Sequence, residues 1–315
     1  MTAGAAEVTA AADPPDPGAR RGRRRSVKQY HWWVPYLFVL PNMVVFGLFT
    51  IWPAINGFNI SLYDSSNGRT FKPAGLDNYS EIVSDPEFRS VVVHTVVFVV
   101  CFVLATVVFA TALSLMLNAQ HRGRGVLRAA YFLPVVISPV VVGLIWSWAL
   151  TRRNGLLNTA LSGIGLGKPG WLTDPHLSMV STVAVGLWTH LGFYAMILLA
   201  GLQAIPANLY EAARIDGASG WQQIRTITLP LLRPTMLVVI VLSTITGFQA
   251  FDFIYTLTGG GPVGATTLIV QYIYEKAFQS PIQYGLAAAG GVLFFVAVFA
   301  VTLVNYFIGR RREAV

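Results

Sequence analysis

EAARIDGASGWQQIRTITLP, residues 211–230, is a polar segment that lies between two long apolar runs. Gly217 stands where a helix would need a left-handed cap at its C-terminal end. Ser219 is followed three residues later by Gln222, a spacing that fits a capping box at the start of a second helix. Pro230 predicts the end of that second helix. The segment therefore predicts two short helices joined by a tight turn.

The rest of the chain is strongly apolar. Of its 315 residues, 54% are hydrophobic and 11% are charged, with a mean hydropathy of +0.59, which excludes an ordinary soluble domain. A membrane-spanning helix needs roughly 20 apolar residues, and continuous apolar runs favour helices over a barrel. We therefore predict an all-α integral membrane protein with six transmembrane helices. The six segments are Tyr36–Phe58, Val91–Leu117, Leu127–Leu150, Met179–Leu202, Thr235–Leu257 and Leu286–Ile308.

The positive charge is distributed unevenly between the loops. The net charge is +8, which could indicate nucleic-acid binding, but 15 of the 22 Lys and Arg residues fall in the two termini and in the loops after the second and fourth segments. The positive-inside rule then places both termini and the loop containing Glu211 in the cytoplasm. A DNA-binding helix-turn-helix is excluded because this loop is attached to membrane spans at both ends. No nucleic-acid partner is predicted.

These features divide the chain into four regions. Residues 1–31 are predicted to be a disordered, basic cytoplasmic tail. Residues 32–90 contain the first transmembrane helix and the first extracytoplasmic loop. Residues 91–308 contain the other five predicted spans and a polar loop at 206–233, and residues 309–315 form a second cytoplasmic tail.

Motifs for catalysis are absent from the sequence. The phosphate-binding pattern G-x-x-x-x-G-K-[ST] does not occur, and neither do G-x-S-x-G, H-E-x-x-H or C-x-x-C. Cys101 is the single cysteine, so no intrachain disulfide can form and no cysteine-based metal site is indicated. We predict no catalytic residue, no metal site and no cofactor in this chain.

The polar segment resembles the EAA signature of bacterial ABC importer permeases. The match consists of Glu211-Ala212-Ala213, then Gly217, then Ile227-x-Leu229-Pro230. In that family the loop is the coupling region that sits in a cleft on a cytoplasmic ATPase subunit. The resemblance implies a type I ABC importer permease fold, with residues 91–308 as the permease core and residues 206–233 as the coupling loop. It also implies coupling roles for Glu211, Ala212, Ala213, Asp216, Gly217, Ile227, Leu229 and Pro230.

Two roles are open for Glu211. It could offer its carboxylate to an Arg or Lys of the ATPase, or it could favour the helix dipole from the first turn of its own helix; both can hold together.

The resemblance extends over nearly the whole chain, from Val34 to Ile308. FDFIYTLTGGGP (Phe251–Pro262) is typical of the first-named permease of carbohydrate importers of the maltose and glycerol-3-phosphate type. It implies a second, homologous permease, two ABC ATPase subunits that bind ATP and Mg, and an extracytoplasmic solute-binding protein. The surrounding partner is membrane lipid.

Eight residues of the fourth and fifth segments are candidates for the solute pathway. Sugar sites combine aromatic surfaces with a few hydrogen-bonding groups, and polar residues within spans are functional candidates. The candidates are His190, Phe193, Tyr194, Ser243, Thr246, Gly247, Gln249 and Asp252. The alternative is that His190 and Tyr194 bond to neighbouring helices. For Asp252 we favour a structural or gating pair near the outer mouth.

Other functions remain open at the level of sequence. A permease for a non-carbohydrate solute would carry the same coupling loop. A stand-alone secondary transporter would respond to an ion gradient rather than to ATP. A scaffold or receptor would bind a partner through the loop without moving any solute.

Overall fold

The computed structural model of the chain describes residues 33–118 and 124–313. The predicted basic tail, residues 1–31, lies outside the described residues. The chain divides into two compact units, Met1–Trp52 and Pro53–Val315.

The first unit contains α1 (Val34–Phe46) and a π-helical turn, Gly47–Ile51. The next helix, α2 (Trp52–Ile60), has a proline as its second residue. Proline has no N–H and its ring clashes with the carbonyl four residues earlier, so a wider turn before it relieves that clash. The stretch Val34–Ile60 is apolar enough to cross a membrane, as predicted for the first segment.

Where the structure describes it, the second unit is almost entirely helical, with one two-stranded antiparallel ribbon. After α2 its elements are, in chain order, β1 (Tyr63–Asp64), β2 (Lys72–Pro73), α3 (Asp77–Ser84), α4 (Pro86–Asn118), α5 (Arg124–Val136), α6 (Pro139–Ala149), α7 (Leu156–Gly163), α8 (Pro175–Gln203), α9 (Ala207–Ile215), α10 (Gly220–Gln223), a π-helical turn (Ile224–Thr228), α11 (Leu229–Phe248), α12 (Asp252–Leu257), α13 (Ile269–Phe278) and α14 (Tyr284–Glu313).

The core of this unit lies between α4, α8 and α11. Helices α8 and α11 are antiparallel: a Cβ on Gly201 would lie 2.5 Å from the Thr235 hydroxyl, and the Tyr194 hydroxyl donates to Thr246 Oγ1 at 3.0 Å. Helices α9 and α10 therefore lie at one end of this core, which we call the loop end. The segment after α11 lies at the other, which we call the far end.

Small residues allow helices to approach closely within the core. A Cβ on Gly192 of α8 would lie 2.0 Å from the backbone oxygen of Tyr131 on α5. Glycine is therefore required at this contact, as is common where membrane helices cross.

Within residues 33–118 and 124–313, five helices are long and apolar enough to be membrane spans: Val34–Ile60, Pro86–Asn118, Pro175–Gln203, Gly220–Phe248 and Tyr284–Asn305. The predicted third span, Leu127–Leu150, is not one helix. It consists of α5 and α6, which are bent by 100° at Ser138-Pro139, because a residue before proline is driven out of the helical region and Ser138 has ψ 133°. Counting this pair as one span gives six.

The predicted fifth span, Thr235–Leu257, is wrong at both ends. The helix begins at Gly220 and ends at Phe248, so Pro230 does not end the second loop helix. A π-helical turn, Ile224–Thr228, lies just before Pro230. This wider turn lets the helix continue although proline has no N–H to donate. At the other end, Phe251 leaves the helical region (φ −147°, ψ −61°) and α12 begins at Asp252.

The sequence did not predict α13, which packs at the far end against α4 and α14. The backbone N–H of Ile269 donates to Thr95 Oγ1 on α4 at 3.0 Å. Tyr272 donates to Asp85 Oδ2 at 2.8 Å, and Lys276 pairs with Glu87 at 3.2 Å. Helix α13 is thus attached by two polar contacts to α4 and by a third to Asp85, the residue just before α4.

Candidate functional site

The turn at the loop end has the predicted capped geometry. Gly217 has φ +79°, its N–H donates to the carbonyl of Arg214 at 3.1 Å, and the N–H of Ala218 donates to that of Ala213 at 2.8 Å. These two bonds form a Schellman motif. The predicted capping box is also present, because Ser219 N–H donates to Gln222 Oε1 at 2.7 Å. Two short helices with a tight turn are therefore confirmed.

The two loop helices leave apolar and charged side chains open to solvent. None of the residues of α9 is buried, and the side chains of Ile215 and Trp221 are 86% and 69% exposed. The Glu211 side chain is exposed and has no hydrogen-bond or ion-pair partner among the described residues. An exposed apolar pair beside an unpaired carboxylate is a surface suited to docking a partner.

The loop is fixed to the long helix that follows it. Tyr210 on α9 hydrogen-bonds to the buried Thr228 in the π-helical turn, with 3.0 Å between their oxygens. Gln223 donates from its side chain to the carbonyl of Ala218 at 2.9 Å. These two contacts attach α9 and the turn after it to the start of the helix Gly220–Phe248.

The far half of that helix borders a cavity of about 190 Å³. Its walls come from α4, α6, α8, α11, α12 and the segment that joins α11 to α12. The lining residues are Phe98, Phe102, Pro139, Gly186, His190, Thr246, Gly247, Gln249, Ala250, Phe251, Asp252 and Phe253. The cavity thus combines four phenylalanine rings with one imidazole, one amide, one hydroxyl and one carboxylate. That mixture of apolar faces and a few polar groups is typical of small-molecule sites.

His190 is held by its own helix and by neighbouring rings. Its Nδ1 lies 3.0 Å from the carbonyl oxygen of Gly186, and its ring meets Phe102 edge-on with centroids 6.0 Å apart. A carbonyl can only accept, so this contact requires the proton on Nδ1 and leaves Nε2 as the acceptor of the neutral ring.

The predicted pathway residues fall into two groups. His190, Thr246, Gly247, Gln249 and Asp252 line the cavity. Tyr194 does not line the cavity, but its hydroxyl donates to the lining residue Thr246. Ser243 is fully buried and donates to the carbonyl of Ile240 at 3.1 Å. Phe193 packs on Tyr194 outside the cavity. Their contact with a solute stays a prediction.

The structural or gating pair favoured for Asp252 from the sequence stays a prediction. Asp252 occupies the first turn of α12, where a carboxylate is favoured by the helix dipole. Its side chain is exposed, and it has no hydrogen-bond or ion-pair partner among the described side chains. The carboxylate is therefore open to the cavity.

The aromatic wall of the cavity was missed by sequence reasoning. Phe98 and Phe102 lie four residues apart on α4, so they share one face, and their rings stack with centroids 5.8 Å apart. The apolar run of α4 has no local mark that separates these rings from its other apolar residues. Sequence reasoning also missed Gly186 as a lining residue. A Cβ there would lie 3.2 Å from the Phe253 ring, so the absence of a side chain leaves room for that ring in the cavity wall.

Known proteins resemble this chain along most of its length. Residues 29–314 match the model of a family described as binding-protein-dependent transport system inner membrane component. The trehalose/maltose transport system permease of Thermococcus litoralis is 38% identical over 279 residues, covering 88% of this chain and 94% of that protein. The lactose transport system permease of Rhizobium radiobacter is 32% identical over 295 residues, covering 92% and 98%.

A solved structure supports the same assignment. A chain in the crystal structure of a bacterial alginate ABC transporter, in complex with an alginate pentasaccharide-bound periplasmic protein, superposes with a TM-score of 0.78 at 27% identity. The match covers 89% of this chain and 94% of that chain. The importer-permease prediction made from the coupling loop is confirmed, and the chain belongs to the family of binding-protein-dependent transport system inner membrane components.

Proposed function

We propose that this chain is the permease subunit that carries a sugar or sugar derivative inward across the plasma membrane, driven by ATP hydrolysis in separate subunits. The cavity between α4, α8 and α11 carries the proposal, because its phenylalanine walls and its imidazole, amide and carboxylate suit a polar ring compound. Relatives named for trehalose/maltose and lactose transport support the substrate class.

The exposed loop is the proposed docking site for the ATPase. Glu211 supplies a free carboxylate, while Ile215 and Trp221 supply an apolar surface. Both termini and this loop face the cytoplasm, in line with the positive charge there. ATP and Mg bind to the partner ATPase, so this chain needs no phosphate-binding loop of its own.

The complete importer contains four further parts. A second, homologous permease completes the membrane pathway, two ATPase subunits supply the driving force, and an extracytoplasmic binding protein delivers the solute. The periplasmic protein bound to the similar alginate transporter supports the last of these partners. Closure of the ATPases would pull on the coupling loop and switch the cavity between two facing states.

Reconstitution tests this function. The chain is co-expressed with the gene products encoded beside it, purified, and placed in proteoliposomes with radiolabelled maltose, trehalose or lactose. We expect an ATPase to co-purify and uptake to require ATP. Absence of any co-purifying ATPase would reject the importer assignment. Uptake that persists without ATP and collapses with an ionophore would indicate a secondary transporter instead.

A further inference from the structure

Four aromatic side chains form a continuous path from the cavity to the far end of the core. We call Phe251, Tyr255, Tyr274 and Phe278 the aromatic track. Phe251, Tyr255 and Tyr274 form a three-ring cluster, with centroids 5.4 Å apart for Phe251 and Tyr255, 5.6 Å for Tyr255 and Tyr274, and 5.1 Å for Phe251 and Tyr274. Tyr274 continues the cluster to Phe278, with centroids 5.2 Å apart. Phe251 also lines the cavity, so the track begins at the proposed solute site.

Helix α4 shows how far the track extends. Phe98 of α4 lies at the cavity, while Glu87 near the start of α4 pairs with Lys276, two residues before Phe278. Eleven residues separate Phe98 from Glu87, which corresponds to about 16 Å along a helix. The track therefore leads from the interior to the outer limit of the core at the far end.

The residues that attach α13 to α4 are not those of the track. Tyr272 is fully buried and bonds to Asp85, and Lys276 pairs with Glu87. Tyr274 and Phe278 are also four residues apart but take no part in these contacts. Phe278 is 67% exposed. Helix α13 thus has a rigid attachment and presents a separate aromatic face.

Hydrogen-bonding groups accompany the rings. Gln279 donates from its side-chain nitrogen to the Tyr255 hydroxyl at 3.4 Å, and the open carboxylate of Asp252 lies next to Phe251 at the cavity mouth. Lipid chains offer no partners to these polar groups, whereas a sugar offers hydroxyls to them and ring faces to the aromatics.

We propose that the aromatic track is an outer sugar subsite, which receives a sugar from the binding protein at Phe278 and passes it along Tyr274 and Tyr255 to the cavity. This inference rests on the proposed function and adds a second site to it. The subsite takes neutral sugars with stackable ring faces.

Uptake by the assembled importer tests the subsite. Tyr274→Ala and Phe278→Ala are compared with wild type in proteoliposomes that contain all subunits and the binding protein, using whichever of radiolabelled maltose, trehalose and lactose wild type imports. We expect uptake at low sugar concentration to fall about threefold or more for each variant. The rate at saturating sugar should change less, because the cavity itself is intact.

Two kinds of control variant show whether the track residues act by stacking on the sugar or by supporting the fold: variants that keep an aromatic ring, and a variant outside the track. Tyr274→Phe and Phe278→Tyr keep a ring and should retain wild-type uptake. Phe295→Ala removes an exposed ring of α14 that stacks on Phe299 at 6.0 Å, away from the track, and should leave uptake unchanged. Failure of the ring-keeping variants to restore uptake would overturn the proposal.

Chemical protection gives a readout that does not depend on transport. In a Cys101→Ala background, Gln279→Cys is labelled with a maleimide in the purified complex, with and without the transported sugar. We expect the sugar to slow labelling about twofold or more, and Phe278→Ala to remove this protection. Ser66→Cys, an exposed site away from the track, should label at the same rate in both conditions.

The outcomes distinguish the two proposals. If wild type imports none of the three sugars, the proposed function fails and the subsite falls with it. If wild type imports a sugar but the alanine variants match it, only the subsite is overturned. Loss of co-purifying subunits from the alanine variants would show that the track is a contact between subunits, which also overturns it.

Discussion

Glu211 is an exposed carboxylate without a partner among the described residues, so its charge is available to another protein. Glu211→Lys should leave the stability of the chain within about 0.5 kcal/mol of wild type, because the side chain has no internal contact to lose. Uptake should fall more than about tenfold, because a reversed charge at a docking surface repels the group that the carboxylate binds. Uptake assays and thermal unfolding in detergent measure the two effects.

Glu81 offers a matched control for that charge reversal. It is an exposed glutamate on α3, at the far end of the core. Glu81→Lys should therefore leave ATP-dependent uptake unchanged. Equal uptake by Glu211→Lys and Glu81→Lys would contradict a coupling role for Glu211.

His190 is the imidazole of the cavity, and its substitution tests the solute site. His190→Phe keeps a ring against Phe102 and Tyr194 but removes the nitrogens. We expect the half-saturation concentration for sugar uptake to rise about threefold to tenfold, the value of one lost hydrogen bond. The melting temperature should change little, because the Nδ1 contact is to a carbonyl of the same helix.

Phe193 lies three residues along α8 and outside the cavity lining. Because Phe193 is also a predicted pathway residue, Phe193→Leu tests that prediction: an unchanged half-saturation concentration would limit solute contact to the residues that line the cavity. If His190→Phe lowers the melting temperature and leaves uptake untouched, the histidine serves packing rather than the solute.

Among elements, α13 depends on the buried hydroxyl of Tyr272. Burial, followed by the hydrogen bond to Asp85 and the charges of Asp85, Glu87 and Glu81, raises the pKa of Tyr272 well above its usual range. A raised folded-state pKa gives stability that is complete below the unfolded-state pKa of about 10 and declines as pH rises above it. Wild type should therefore lose melting temperature more steeply than Tyr272→Phe between pH 9.5 and pH 11.

The same variant has an expected effect at neutral pH. There Tyr272→Phe should be less stable than wild type by about 1 kcal/mol, because the Asp85 contact is lost. Parallel melting profiles for the two proteins across the alkaline range would show that the hydroxyl does not contribute to the attachment of α13.

The sequence predicts some elements better than others, and the difference depends on how far apart in the chain the residues that stabilise each element lie. The turn at Gly217 and the cap at Ser219 use partners within five residues, so local spacing was sufficient. The bend between α5 and α6 also has a local signal, Pro139, but the continuous apolar run around it led to the prediction of a single span. Helix α13 is defined by bonds to Thr95, Asp85 and Glu87, which are more than 170 positions away in the chain and carry no local signal.

At the scale of the whole molecule, one helix runs from the exposed loop at Gly217 to the cavity. Gly220–Phe248 begins beside the loop turn and ends at cavity residues Thr246 and Gly247, and 29 helical residues extend about 43 Å. Sequence reasoning placed the two sites on separate elements because it ended a helix at Pro230. If this helix moves as one body, an event at the exposed loop reaches the cavity.

Softening that helix between the two sites should therefore uncouple ATP hydrolysis from uptake. Val238 and Leu242 lie four residues apart on a partly exposed face of α11, and glycine at each costs about 1 kcal/mol of helix stability relative to alanine. The double variant Val238→Gly, Leu242→Gly should insert, bind its ATPase and support hydrolysis, yet import several-fold less sugar per ATP. Val238→Ala, Leu242→Ala removes most of the same side-chain atoms but keeps the helix stiff, so its uptake per ATP should match wild type. Equal ratios for the glycine and alanine pairs would mean that the movement reaches the cavity by another route.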